Sequence, residues 1–240
     1  MTNPSFRAAL QQRLAVELGD GPIASEIASR VDDDSIERLA TLLADGDPST
    51  SPLLSYQPYR IAGDEVDSLW ILAFGYRLAD PSTEAELAGT IPPMSALIPG
   101  PINEALAHEA ADFVARRPVP IVAQWEAARV LADLGVANVI SVEPDIDDAG
   151  TITYLSTAGV VSKGLTLAAA AGVAVGRAGL LAHADHGVRG LSTAAAAGLD
   201  AAVPEGVTLP VMYDAKSGQP WTRSRVSYLS ADLLARSYSV

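Results

Sequence analysis

Cysteine is absent from the 240-residue chain, which removes disulfides, thiolate nucleophiles and thiolate-bound metals at once. The composition fits a reducing compartment. Basic charge is scarce as well: 16 Lys and Arg stand against 29 Asp and Glu, a net charge of −13. Such a surface repels phosphate backbones, and no local basic patch stands out, so nucleic acid is not an expected partner. Long apolar runs are also missing. The longest lies between Lys163 and Arg177 and is interrupted by Gly and Thr, short of the roughly 20 residues that cross a bilayer. No membrane insertion is expected. The first 18 residues carry Arg7 and Arg13 among polar side chains and lack the apolar centre of a secretory signal, which makes the cytoplasm the expected location. With three histidines in the chain, soft ligands are too few for a transition-metal site, although a hard cation held by carboxylates stays compatible.

What is present changes character along the chain. Ile36, Leu39, Leu42 and Leu43 recur at helical spacing behind Asp34, read as an N-cap with Glu37 three residues on, and Gly46 follows as a stop. Residues 47–57 are rich in Pro and Ser and show no period. The reading is a helical segment over 1–60 and an α/β domain over 61–240. In the latter, short apolar runs at 69–74, 95–98, 119–123, 138–142, 178–182 and 207–212 alternate with helix-period stretches, the pattern of βαβ units and a parallel sheet. Leu106, Ala110, Phe113 and Val114 form one helical face, and Ala127, Val130, Leu131 and Leu134 another that Gly135 ends. Two more helices are expected at 154–173 and 223–236.

In an open parallel sheet the loops leaving the carboxyl ends of the strands make the ligand crevice, because the following helices aim free amides at the same place. Those exits carry Gly75, Tyr76 and Arg77; Asn103; Gln124, Trp125 and Glu126; Glu143; His183, Asp185, His186 and Arg189; and Tyr213 and Asp214. The densest is Ala-His-Ala-Asp-His-Gly-Val-Arg at 182–189. A helix starting near Asp185 sets His186 and Arg189 one turn apart, and with the free amides they suit a phosphate or carboxylate. The competing reading has Asp185 cap the helix and His186 pack on the sheet edge. His183 fits a core histidine and a ligand contact equally well. Glu126 and Glu143 can bind a ribose, an amine or a cation, or one can act as a general base; a charge favoured at a helix N-terminus and a solvated loop explain them as well. Trp125 and Tyr76 suit stacking on a flat ring, but aromatics there are more often core, and Trp221 reads as packing. Gly172, Gly176 and Gly179 lack dinucleotide spacing, and neither a phosphate loop nor a Gly-x-Ser-x-Gly elbow occurs.

At these positions the chain resembles the SanA, YdcF and ElyC group of bacterial Rossmann-like proteins, from about residue 67 to 204. The stretch at 67–78 looks like the group's first strand ending in Gly75. Gln124-Trp125-Glu126-Ala127 is similar to its Ser-Glu-Ala element, with Glu126 at the acidic position and Gln124 in place of the common Ser. Glu143 matches the next acidic residue, and 180–189 looks like the strand followed by His-x-x-Arg, which puts the His on His186 and the Arg on Arg189. Before the Ala-rich helix the group's Thr falls on Thr157, whereas its Glu-Asn pair is missing. The resemblance implies a Rossmann-like three-layer sandwich with a mainly parallel sheet, binding of S-adenosylmethionine, and a cell-wall or lipid-carrier connection. Three functional readings follow. One is a small-molecule site for a nucleotide-like or other anionic ligand at Gly75, Asn103, Gln124, Glu126, Glu143, Thr157, His183, His186 and Arg189. Another is a transferase or hydrolase of phosphate or acyl substrates, with His186 or Glu126 as general base and Arg189 on the developing anion. The third is an interaction protein that docks through Arg60, Arg77 and the N-terminal helices.

Overall fold

Helix-period and strand-period segments sort into two units in a computed structural model that describes residues 4–44, 54–83, 92–148 and 152–237. One unit comprises Met1–Gln57 and Pro220–Val240; the other is Pro58–Gln219.

The first unit is helical: α1 (Pro4–Leu18), α2 (Gly21–Arg30), α3 (Asp33–Ala44) and, from the far end of the chain, α8 (Arg225–Ser237). Leu10, Leu14, Ile27, Ile36, Leu39, Leu229 and Leu233 are buried in it. Asp20 caps α2 by accepting from the Ile23 amide at 2.9 Å. The cap of α3 is Asp32, not Asp34: its carboxylate accepts from the Ser35 amide at 2.8 Å and the Ser35 hydroxyl at 2.7 Å. In a run of three aspartates the first one reaches three residues forward to the free amide of the first turn, so the helix starts earlier. Gly46 and most of the Pro- and Ser-rich connection lie outside the described residues. The last helix packs against α2 and α3. Trp221, read as a packing residue, is half-exposed.

The second unit is α/β. Its sheet contains β1 (Arg60–Ile61), β2 (Ser68–Ile71), β5 (Ile121–Gln124), β6 (Val139–Val142), β9 (Ala178–Leu181) and β10 (Ala201–Pro204), all parallel, in the order β1-β10-β9-β2-β5-β6. Helices α4 (Pro101–Arg116), α5 (Trp125–Asp133), α6 (Thr157–Ala170) and α7 (Ala184–Ala196) flank it. α4 and α5 pack together, as do α6 and α7, completing a Rossmann-like three-layer sandwich. Two short antiparallel pairs stand outside the sheet: β3 (Arg77–Leu78) with β4 (Leu97–Ile98), and β7 (Asp145–Ile146) with β8 (Ile152–Thr153).

The pleat sends alternate residues to opposite faces. Trp70, Val122 and Leu180 meet Val160, Val161 and Ala168 of α6 and Ala194 of α7 in one core layer. The Trp70 indole N–H is satisfied there by Ser68 Oγ at 3.1 Å, which in turn donates to the Val175 carbonyl at 2.6 Å.

Four of the six expected strands enter the sheet. The run at 95–98 supplies only β4, in an antiparallel pair. The run at 207–212 is no strand: Pro210 has no N–H to give a ladder, and its carbonyl accepts instead from the Ala184 amide at 2.9 Å. The sheet is extended there by β10 and β1, whose Ala-rich and two-residue sequences carry little strand signal.

Candidate functional site

Chain order reverses in the sheet between β2 and β9: β5 and β6 lie to one side, β10 to the other. At such a switch point the crevice opens outside the carboxyl ends of the two strands.

The β2 exit is a braced turn. Gly75 has φ +74°, a conformation that disfavours a side chain. Asn103, in the first turn of α4 and fully buried, accepts from the Phe74 amide at 2.8 Å and donates to the Gly75 carbonyl at 2.6 Å. Gln124, the N-cap residue of α5, accepts from the Ala73 amide at 3.1 Å and donates to the Tyr154 hydroxyl at 3.1 Å. Both amide side chains, selected from sequence as ligand contacts, shape the loop.

Glu126 follows in the first turn of α5 and has no solvent exposure. The Tyr154 hydroxyl donates to its Oε1, whereas Oε2 has no partner among the described residues. Burial pushes this carboxyl up to about 8; the hydrogen bond from Tyr154 opposes the rise and the Glu143 charge adds to it. Burial and the neighbouring Glu126 likewise hold the Tyr154 hydroxyl well above the usual tyrosine range. Glu126 is therefore a neutral acid at pH 7, with one hydrogen-bonding position unused. Glu143 is exposed and accepts from Ser141 Oγ at 2.6 Å.

At the β9 exit His183 is fully buried and caps α7: Nδ1 accepts from the Asp185 amide at 3.2 Å, and Nε2 lies 3.1 Å from the Met212 carbonyl. A carbonyl only accepts, so the hydrogen sits on Nε2. The ring stacks on Phe74 at 4.1 Å. Asp185, read as a possible cap, instead accepts from the Tyr213 hydroxyl at 2.7 Å. His186 is buried with its ring centroid 6.3 Å from that of Phe74, and Arg189, half-buried one turn on, donates to Thr157 Oγ1 at 3.2 Å. Thr157 opens α6, capped by Ser156 Oγ on the Gly159 amide. His186 and Arg189 thus share a helix but touch different partners.

The segment 212–219 crosses these exits. Tyr213 reaches Asp185; Asp214 takes Arg77 in a bidentate pair, 2.7 Å from Nε and 2.9 Å from Nη2. Ser217 Oγ and the Gly218 amide both donate to the Tyr76 carbonyl, at 3.3 and 2.8 Å, and Gln219 bonds Tyr154. Sequence reasoning had Tyr213 and Asp214 at a strand end and Tyr154 inside a helix. Ser156 with Gly159 three residues on is an N-cap signal that starts α6 after Tyr154; the crossing segment is set by bonds to Asp185, Arg77, Tyr76 and Tyr154, each more than 25 residues away. Comparison with protein-family models, curated proteins and solved structures returns no match to the chain.

Proposed function

We propose that the chain binds a small anionic ligand, nucleotide-like or bearing a phosphate or carboxylate, at the carboxyl ends of its parallel sheet. The observation that carries this reading is the contact between Arg189 and Thr157. A guanidinium, a hydroxyl and the free amides of the first turn of α6 meet there, beside the crevice where parallel sheets receive ligands. An anion between Arg189 and Thr157, both half-buried, gains charge-assisted hydrogen bonds from the guanidinium. The resemblance to the SanA, YdcF and ElyC group makes S-adenosylmethionine, which carries a carboxylate, the first ligand to try. The cysteine-free composition agrees with a cytoplasmic setting.

An enzymatic reading, transfer or hydrolysis of a phosphate or acyl group, is favoured by one feature, the neutral buried carboxyl of Glu126. In such a reaction Glu126 enters as the proton donor, since the protonated form prevails at pH 7.

Phosphate titration followed by NMR tests the binding reading. The expected result is a saturable shift of the Arg189 side chain and the Thr157 and Ala158 amides, abolished by Arg189→Ala and untouched by Arg223→Ala. Unmoved signals at these positions would refute the site. In a thermal-shift screen a true ligand at about 100 times its Kd adds about 2.7 kcal/mol of stability.

A further inference from the structure

In its present conformation the crevice is covered. Phe74, Gln124, Glu126, His183 and His186 are all buried, and residues 212–219 bridge the β9 exit, the β2 exit and Tyr154 through the bonds of Tyr213, Asp214, Gly218 and Gln219. That segment contains no helix or strand, so side-chain and backbone bonds such as these, with the Tyr213 ring against Phe74 and His183, hold it in place instead of a ladder or a helix. The most polar of them is the Arg77–Asp214 pair. Asp214 is buried, whereas the Arg77 side chain keeps 37% of its surface in solvent, so a soluble anion can approach the guanidinium from outside. A carboxylate gripped by both Nε and Nη2 occupies the fork that a phosphate or carboxylate ligand would use.

We propose that residues 212–219 form a displaceable strap over the crevice, latched by Asp214 on Arg77, and that an anionic ligand opens it by taking the place of Asp214. The inference rests on the anion-binding reading above and adds Arg77 to the ligand's contacts. Asp214 is a tethered competitor, present at an effective concentration of roughly millimolar or above. The apparent affinity of any anion is therefore reduced by the fraction of molecules whose strap is closed. Opening also exposes Tyr154 by releasing Gln219, and through Tyr154 the unused oxygen of Glu126.

The full chain, its Asp214→Asn variant and its Tyr213→Phe variant are titrated with inorganic phosphate at constant ionic strength, with chloride as the control anion. Amide exchange is read at Ser217 and Gly218, and NMR shifts at Arg77, Thr157 and Arg189. In the wild type, phosphate is expected to speed exchange at Ser217 and Gly218 tenfold or more. Asp214→Asn keeps an acceptor for the Lys216 amide, 3.1 Å from Oδ1, but loses the charge. It should exchange rapidly without phosphate and bind phosphate at least tenfold more tightly. Tyr213→Phe, which loses the hydroxyl bond to Asp185 and keeps the ring, should show an intermediate rise in exchange. Equal phosphate affinity in wild type and Asp214→Asn, with Thr157 and Arg189 shifting in both, overturns the strap and leaves the site reading intact. Phosphate at Arg77 in Asp214→Asn without any response at Thr157 or Arg189 upholds the latch and overturns the site reading. Absence of binding in every protein overturns both. Should Asp214→Asn fail to fold, exchange at Ser217 and Gly218 in the wild type and Tyr213→Phe decides: no acceleration by phosphate overturns the strap.

Discussion

Glu126 gives folding a pH dependence that falls in the neutral range. Folding raises its carboxyl from 4.5 to about 8, so between those values the folded state holds a proton that the unfolded state has released. Stability from this group is therefore full below pH 4.5 and falls as pH rises toward 8, by about 5 kcal/mol across the window. Glu126→Gln, which cannot ionise, should flatten the decline. Urea midpoints at pH 5, 7 and 9 check it: parallel slopes for the two proteins would remove Glu126 as the cause. Tyr154→Phe leaves Oε1 without its donor inside the protein, and a loss of about 1–3 kcal/mol is expected at pH 7 by the same measurement. From sequence, Glu126 was recognisable as a carboxylate at a strand exit. Its burial was not, because the residues that enclose it come from distant parts of the chain, Tyr154 among them.

At the scale of elements, the approach of α6 and α7 to the sheet depends on two glycines. A Cβ on Gly164 would stand 2.7 Å from the Trp70 ring, and one on Gly190 2.8 Å from Leu72 Cδ1. Alanine normally stabilises a helix interior by about 1 kcal/mol relative to glycine. At these positions the sign should reverse. Gly164→Ala and Gly190→Ala are each expected to cost about 1–3 kcal/mol through overpacking, read as a lower urea midpoint at unchanged slope. Gly164 is the stricter case, because the indole is held by Ser68 and cannot swing away. Strands β2, β5 and β9 were legible as short, mainly apolar runs buried on both faces, and the partly buried β6 as a short run rich in Val and Ile. β10 was not, since Ala201 and Ala202 continue an Ala-rich stretch that reads equally as helix, and β1 is two residues long.

For the whole molecule, the grouping of α8 with the N-terminal helices has a direct test. Leu229 and Leu233 are buried, and the Arg236 guanidinium lies 4.9 Å from the centre of the Tyr56 ring. Truncation after Gln219 removes Leu229, Leu233 and Arg236 from the helical unit, while every described strand and α4 to α7 remain in Pro58–Gln219. The expected outcome is loss of amide protection in α1–α3 with protection in β2, β5 and β9 retained. Equal loss in both sets would show a single cooperative unit instead.

The amino-acid order was enough to establish a parallel α/β domain behind an N-terminal helical segment, and to point at the strand exits, because hydrophobic period and turn residues are properties of neighbours in the chain. It was also enough to select Glu126, His183, His186 and Arg189 as residues at those exits. Their partners were settled by packing: Arg189 on Thr157, His183 between the Asp185 amide and the Met212 carbonyl, Asp214 on Arg77. These contacts join residues 29 to 137 positions apart, apart from the local cap at Asp185. Local pattern carries no information about which of many polar groups will meet once the sheet and its helices have closed around them.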